Sequence, residues 1–354
     1  MARASGPPNG VLPRGRRVAT RFGAFDVHCF VGVHQAGDAL AVTRGPLGGE
    51  APLLARVHSS CVTSEVFGGR DCDCSEQLAA CFERIAAAGR GVLFYLPQEG
   101  RGAGLVAKAR DRMMVQASRE RLTTFEAYAR LGLPRDVRRY DAVATMAAAL
   151  GIRAPLVALT NNPDKVAGLL QAGVALAGSE PLARPPSPFN AHYLEAKWSS
   201  GHALPPPVRG SLRAAPPEAV PWIEPMPVAE APGYWWMASY LLPVAPARGH
   251  AEAAPRWLRV RVYRDPERGR TRPVLSPWTR GAPAGAPRLR RVQRHQLVDR
   301  LPLRRTPASL RRWRATLDEM TARGSGRVLF LDPDEHAAPD APTAALLDHE
   351  PARG

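Results

Sequence analysis

The stretch CVTSEVFGGRDCDC, residues 61–74, holds three of the five cysteines of this 354-residue chain in a C-x10-C-x-C spacing. Cys72 and Cys74 can present both sulfurs on one side of an extended turn, and Cys61 can approach from the preceding loop. Three thiolates suit zinc, and a structural zinc site adds a fourth protein ligand where a catalytic site leaves that position to water. The spacing therefore predicts a zinc site and leaves three possibilities open: a catalytic ion, a structural ion completed by His58 or Cys81, and no metal.

The chain around this stretch alternates between strand and helix patterns. The apolar runs GVLFYL (91–96) and PLVALT (155–160) are typical of buried strands. SEQLAACFERIAAAG (75–89) and DAVATMAAALG (141–151) have helical spacing and end at glycine. Since helices and strands interleave, we predict an α/β fold. Cys81 lies among apolar residues of the first helix and is interpreted as a core residue.

Proline marks a boundary in the second half of the chain. Nine of the 28 residues from 205 to 232 are proline, which removes backbone donors and restricts φ. We therefore predict a basic, flexible N-terminus over 1–20, a first domain over 21–204, a Pro-rich linker over 205–232 and a C-terminal extension of uncertain fold over 233–354.

Within the extension the signals are weaker. GYWWMASYLLPV, WLRVRVYRD and RVLFLDP are candidate strands, and six of the seven tryptophans lie beyond residue 221. The stretch 264–314 is rich in Arg and Pro without clear periodicity, and we interpret it as a loose arm.

Composition bounds the class of protein. No segment has the apolar run of a secretory signal or a membrane span, so we expect a soluble, cytoplasmic protein without a membrane partner. In that compartment clustered cysteines indicate metal binding or catalysis more often than disulfides.

The net charge of +16 is compatible with a nucleic-acid-binding zinc protein. That alternative is weakened because the C-terminal arginines are scattered among acidic residues and prolines. Lys108, Lys165 and Lys197 are the three lysines among 48 basic residues, and the other 45 are arginines. A retained lysine is therefore a stronger functional signal in this chain than any arginine.

Five motifs occur in order along the first domain: RVHSSC (56–61), CDCSEQL (72–78), QEGRGAGL (98–105), TNNPDK (160–165) and NAHYLEAK (190–197). Together they resemble the GTP cyclohydrolase II family. The resemblance implies a mixed β-sheet flanked by helices and a homodimer. It also implies hydrolysis of GTP that opens the imidazole ring of guanine and releases formate and pyrophosphate at the start of riboflavin synthesis.

The same resemblance assigns roles to individual residues. It implies that Cys61, Cys72 and Cys74 bind the catalytic zinc, and that Mg2+ accompanies the departing pyrophosphate. Asp136 and Arg138 are implied to release pyrophosphate at the α-phosphate. The positions implied to bind GTP are Arg56, Val57, His58, Ser59, Ser60, Gln77, Glu99, Gly100, Arg101, Thr124, Thr160 and Lys165.

Three positions depart from the family pattern. Ser60 replaces a common acidic residue, and Arg139 replaces a usual aspartate. The segment KARDRMMVQ (108–116) has Arg112 or Met113 where the family carries a tyrosine implied to assist formate release. Neither side chain can give and take a proton as a phenol does. One alternative is therefore a divergent paralog that stops at the formamidopyrimidine nucleotide, in specialised metabolism or pyrimidine catabolism, and another is a protein that binds GTP without turnover.

Every motif ends by Lys197, so the sequence predicts that the C-terminal extension is dispensable for the chemistry.

Overall fold

A computed structural model describes residues 15–207, 213–244, 256–279, 289–294, 297–331 and 338–349. Most of the predicted flexible N-terminus, residues 1–14, lies outside these ranges. Arg16–Thr20, predicted as part of it, instead forms a strand, because its backbone pairs with Gly23–Val27 across a tight turn.

The first sheet is mixed, with strand order β1-β2-β3-β5-β4-β6-β7. Its first four members in that order are antiparallel, whereas β4 runs parallel to both β5 and β6, and β6 runs parallel to β7. The strands are β1 (Arg16–Thr20), β2 (Gly23–His34), β3 (Gly37–Arg44), β4 (Leu53–Ser59), β5 (Gly91–Leu96), β6 (Leu156–Leu159) and β7 (Leu176–Glu180).

Helices accompany this sheet, so the predicted α/β class with a mixed sheet is confirmed. They are α1 (Val62–Glu65), α2 (Cys74–Ala88), α3 (Gly104–Ala117), α4 (Thr124–Arg130), α5 (Asp141–Ala149), α6 (Pro163–Gln171) and α7 (Ala191–Ser199), with a 3-10 turn at Glu99–Gly102. The predicted helices at 75–89 and 141–151 correspond to α2 and α5. Gly89 ends α2 with φ 73°, a left-handed conformation that glycine adopts without steric cost.

The central strand β5 is buried on both faces. Leu93 and Tyr95 pack with α2 on one face, and Phe94 packs with α5 on the other. Cys81 is fully buried beside Phe82 on the α2 face, which confirms its interpretation as a core residue.

The C-terminal extension folds around a second sheet with strand order β12-β13-β11-β10-β9-β8. All its pairings are antiparallel except that of β12 with β13. Its elements are β8 (Met226–Pro227), β9 (Trp235–Val244), β10 (Arg256–Asp265), β11 (Arg270–Pro277), β12 (Arg290–Gln293), β13 (Arg327–Phe330), α8 (Ala308–Arg323) and α9 (Ala341–Ala345), with a 3-10 turn at Leu297–Arg300. The three candidate strands of the sequence correspond to β9, β10 and β13, and β8 lies within the stretch predicted as linker.

The prediction of a loose arm over 264–314 is wrong for the described part of that stretch. It contains β11, β12 and the start of α8. In β11, Arg272 is fully buried beside Val274 and Leu275. Arginine stems can line a buried surface although the residue reads as polar, and this property concealed the strand pattern. Residues 280–288 and 295–296 of the predicted arm lie outside the described ranges.

One hydrophobic cluster, termed here the junction core, joins the two sheets. From the first domain it takes Val62, Val66, Phe67, Ala109 and Met113. From the extension it takes mainly strand and α8 residues, among them Tyr240, Leu242, Val260, Trp313, Met320 and Phe330. The extension therefore shares a core with α1 and α3, the helices that flank the cysteine cluster.

Candidate active site

Three cysteines converge where β4 and α2 meet. The Sγ atoms of Cys61, Cys72 and Cys74 lie within 4.8 Å of one another, and those of Cys61 and Cys72 are 3.7 Å apart. Sulfurs at the corners of a tetrahedron around zinc, each about 2.3 Å from the ion, are roughly 3.8 Å apart. The spacing of the thiols therefore fits zinc, and all three cysteines are free.

Neither proposed fourth ligand belongs to this cluster. Among the described residues the group that can hold a metal comprises the three cysteines alone. His58 is turned toward Glu65, with Nε2 and Oε1 2.8 Å apart, and Cys81 lies in the α2 core. A site with three protein ligands and one open position is the arrangement typical of catalytic zinc.

Lys108 places a positive charge against the thiols. Its Nζ donates to Cys61 Sγ at 2.9 Å and to Glu99 Oε1 at 2.7 Å. Hydrogen bonds with Cys72 and Cys74 lower the pKa of Cys61 well below its usual value, and the Lys108 charge lowers it further although burial opposes this. Cys61 is therefore primed to be a thiolate, the form that binds metal.

A buried chain of hydrogen bonds runs from the Cys61 amide through Glu65 and Tyr95 to Arg300. Glu65 accepts from the Cys61 amide at 3.0 Å, and the Tyr95 hydroxyl also donates to Glu65. Arg300, from the extension, donates to Tyr95 Oη at 3.2 Å. An arginine of the second half of the chain thus helps to balance the charge of a buried carboxylate beside the cysteine cluster.

Cations line the cavity that also contains Cys61 and Cys74. Arg56 donates to Leu159 O at 2.7 Å and to the Gln77 side chain at 2.5 Å, while Lys165 donates to Val57 O at 2.8 Å. Burial lowers the pKa of Lys165 well below its usual value, and the nearby charges of Arg138 and Arg56 lower it further. Bound negative charge offsets both this burial and this repulsion, so the arrangement favours a polyanion as ligand.

Asp136 and Arg138 form an ion pair in the same cavity. Arg138 Nε lies 2.9 Å and 3.0 Å from the two carboxylate oxygens, and the Arg138 amide also donates to Asp136 at 3.0 Å. Although burial opposes both charges, the hydrogen bonds between them raise the pKa of Arg138 and lower that of Asp136. The guanidinium is therefore held in its charged form, which suits a clamp on phosphate better than a free nucleophile.

One cavity collects nearly all the residues that the sequence singled out. The predicted residues that line it are Arg56, His58, Ser59, Ser60, Cys61, Cys74, Gln77, Glu99, Gly100, Arg101, Thr124, Asp136, Arg138, Thr160 and Lys165. Val57 and Cys72 do not line it. Val57 packs in the α5 core and its carbonyl accepts from Lys165, and the sulfur of Cys72 lies 3.7 Å from that of Cys61.

The cavity also contains residues to which the sequence assigned no individual role, among them Lys108, Asp111, Tyr128, Tyr193 and Lys197. All three lysines of the chain line it, as the scarcity of lysine indicated. Lys197 pairs with the buried Asp73 at 2.8 Å. Tyr193 lies within the NAHYLEAK motif without an assigned role, and Tyr128 on α4 carried no signal in the sequence.

The departures from the family pattern have defined surroundings. Arg112 lines the cavity with its Nε 2.8 Å from Asp71 Oδ2. Met113 is fully buried in the junction core, and its sulfur accepts from the Ser239 amide at 3.4 Å. Arg139 is exposed and pairs with Asp141 at 3.0 Å.

Comparison with known proteins identifies the first domain. The family model for GTP cyclohydrolase II matches residues 14–181. The chain is 37% identical over 189 residues to a GTP cyclohydrolase-2 of Teredinibacter turnerae, covering 93% of that protein and 53% of this chain. The chain belongs to the GTP cyclohydrolase II family. It is thereby assigned to a family of hydrolytic enzymes, and the resemblance drawn from the motifs is confirmed.

Two longer relatives match over nearly the same length. The chain is 40% identical over 188 residues to the bifunctional riboflavin biosynthesis protein RIBA 1 of Arabidopsis thaliana. It is 40% identical over 187 residues to the riboflavin biosynthesis protein RibBA of Bacillus subtilis. It spans 34% and 46% of those two proteins, and 52% of its own length is covered in each case. Among the described residues no helix is long and apolar enough to cross a membrane.

Proposed function

We propose that this chain hydrolyses GTP, opening the imidazole ring of guanine with release of formate and pyrophosphate, as an early step of riboflavin synthesis. The observation that carries the proposal is the shared cavity. Cys61 and Cys74 of the thiol cluster line it together with the cations Arg56, Arg138 and Lys165. A substrate that joins a reactive heterocycle to a triphosphate matches a cavity that combines a thiol cluster with several cations.

Cys61, Cys72 and Cys74 would hold the zinc. When bound, zinc supplies a Lewis acid that activates water for attack on C8 of guanine. Lys108 holds Cys61 in place through its 2.9 Å contact and offsets the negative charge of three thiolates. Glu99 fixes Lys108 and accepts from the Val62 amide at 2.7 Å, so the start of α1 is tied to the same cluster.

Arg56 and Lys165 would bind the triphosphate, and Thr160, at the end of β6, offers a hydroxyl beside them. Asp136 would orient Arg138 at the α-phosphate, where the charged guanidinium stabilises the transition state of pyrophosphate release. Mg2+ would enter with the triphosphate, bound to phosphate oxygens. We further propose a cytoplasmic homodimer with GTP as its substrate, on the strength of the family membership.

A second product is favoured by one specific observation. The residues at the place of the family tyrosine carry no titratable hydroxyl: Arg112 is paired with Asp71, and Met113 is buried in the junction core. Under this alternative, ring opening proceeds and the formyl group is largely retained. A loss of general acid-base assistance costs about 10²- to 10⁴-fold, enough for the formamidopyrimidine nucleotide to accumulate.

One experiment tests the proposal and separates the two products. The zinc-loaded full chain is incubated with GTP, and nucleotide mass, pyrophosphate and formate are followed together. Stoichiometric formate appearing with the same rate constant as loss of guanine absorbance supports the complete reaction. Accumulation of a ring-opened nucleotide that retains the formyl mass supports the alternative. Unchanged GTP after prolonged incubation with zinc and Mg2+ rules out both.

A further inference from the structure

One buried carboxylate that lines the cavity, that of Asp111, has no role in the proposed binding of zinc or of the triphosphate. Asp111, on α3 one turn after Lys108, is 3% exposed and lines the cavity. Its Oδ2 accepts from the Thr124 hydroxyl at 2.9 Å. Its Oδ1 is buried and has no hydrogen-bond partner within the described part of the chain. An unsatisfied buried carboxylate oxygen is costly, so its retention in a binding cavity points to a ligand that donates to it.

A matching donor lies on the other side of Thr124. Arg101 Nη2 donates to Thr124 Oγ1 at 3.0 Å, while its Nη1 is buried and unpartnered among the described residues. Its guanidinium is fixed over two rings, 4.2 Å from the centroid of Phe125 and 4.8 Å from that of Tyr128. Its φ of 55° is uncommon for a residue with a side chain, and such backbone strain clusters at ligand sites.

Thr124 thus joins one free acceptor and one free donor at a single wall of the cavity. Burial raises the pKa of Asp111, although the charges of Arg112 and Arg101 oppose this, as expected for a carboxylate that lacks its ligand. The complementary ligand edge carries N–H donors beside an oxygen acceptor. In guanine, N1–H and the 2-amino group donate and the 6-oxo group accepts. Adenine presents a different arrangement of donors and acceptors on the same edge.

We infer that Asp111 accepts hydrogen bonds from N1–H and the 2-amino group of guanine while Arg101 donates to its 6-oxo group, so that this pair selects guanine among purine nucleotides. The inference rests on the proposed function and adds the residues that read the base.

The position of Asp111 relative to the cysteines supports this assignment. Lys108 and Asp111 are three residues apart on α3, so their Cβ atoms are about 5–6 Å apart on one helix face. That separation is on the order of the width of a purine. Lys108 contacts Cys61, so a guanine with its imidazole side at the cysteine cluster can present its opposite edge to Asp111.

The first arm of the test uses the unmodified holoenzyme with nucleotides that differ only at the base. ITP lacks the 2-amino group, and XTP has an oxo group in its place. A hydrogen bond to a charged group contributes about 1.5–3 kcal/mol, so kcat/KM for GTP is expected to exceed that for ITP by roughly 10- to 100-fold. Equal kcat/KM for GTP and ITP overturns the inference without any variant.

The second arm uses Asp111→Asn. Its amide oxygen can keep the Thr124 bond while its NH2 faces the cavity, where it repels the 2-amino group of guanine and can donate to the 2-oxo group of xanthine. We expect the GTP-to-XTP ratio of kcat/KM to fall at least about 10-fold. Asp141→Asn, an exposed aspartate on α5, is the matched control and should keep the wild-type ratio.

The readouts separate the possible failures. Zinc content and circular dichroism show whether Asp111→Asn is folded and binds zinc. If the variant does not fold, the comparison of GTP with ITP in the wild-type protein still tests the inference. A loss of activity by the same factor for GTP and XTP assigns Asp111 a structural role and overturns the inference. Wild-type protein that neither binds nor converts GTP, in direct titration, refutes the proposed function itself.

Discussion

Gln116 on α3 and Leu241 on β9 exchange two hydrogen bonds. Gln116 Nε2 donates to Leu241 O at 2.7 Å, and the Leu241 amide donates to Gln116 Oε1 at 2.8 Å. A side chain of the first domain therefore pairs with the backbone of the extension as a neighbouring strand would. Because α3 also carries Lys108 and Asp111, the extension helps to fix the helix that forms one wall of the cavity.

This contact and the junction core argue against the expectation that the extension is dispensable. Truncation near Pro205 would expose apolar residues that are now fully buried, including Phe67 and Met113 of the junction core. We expect the truncated chain to be poorly soluble or to lose zinc and activity together. Expression, zinc content and GTP turnover measure this, and a soluble truncated chain with wild-type turnover would restore the original expectation.

Gln116→Ala isolates the pairing from the rest of the interface. The substitution leaves the amide and carbonyl of Leu241 without their partners, which costs about 1–3 kcal/mol for each buried polar group left unsatisfied. Urea unfolding of the full chain should show a free energy of unfolding lower by at least this amount. Gln171→Ala, at an exposed position near the end of α6, is the control and should change stability little.

Replacing each of Cys61, Cys72 and Cys74 by serine should abolish or strongly reduce zinc binding and GTP turnover, because a hydroxyl is a far poorer ligand than a thiolate. Metal analysis of the purified variants is the measurement. Cys29→Ser, on β2 outside the cluster, should retain one zinc per chain. Full zinc occupancy in all three cluster variants would refute the site.

We expect the Asp136–Arg138 pair to act on the phosphates of GTP alone. Asp136→Asn and Arg138→Gln are expected to slow pyrophosphate release about 10²-fold or more while nucleotide binding falls much less, since the pair acts on transition-state charge. Binding by titration and pyrophosphate release by a coupled assay are measured separately. Equal losses in the two quantities would indicate that the pair only binds the ground state.

His202 should make stability depend on pH. Burial lowers its pKa from 6.5 to about 4, and the charges of Lys197 and Arg138 contribute. Between pH 6.5 and 4 the unfolded chain binds a proton that the native imidazole does not, so the free energy of unfolding falls as pH falls through this window. Unfolding curves of His202→Asn should show a smaller decrease across it, and parallel pH profiles for the two proteins would contradict the assignment.

Much of the first domain could be predicted because its signals are local. A glycine stop marks the end of α2, and an apolar run marks β5. The cysteine spacing and the scarcity of lysine led to the site, because metal ligands and buried ammonium groups have few substitutes. Asp111 and Tyr128 could not be found in this way, since their roles arise from helices that meet only in the folded chain. Arg272 illustrates the failure in the extension, where a buried arginine reads as solvent-exposed.

The Arg300–Tyr95 contact joins residues 205 positions apart in the sequence. Bacterial and eukaryotic ribosomes add about 5–20 residues per second, so Arg300 is made roughly 10–40 s after Tyr95. During that interval the nascent chain already carries Cys61, Cys72 and Cys74, but not the arginine that supports Glu65 beneath them. The thiols therefore meet the cellular zinc supply, and its oxidants, before the part of the chain that stabilises their pocket has been synthesised.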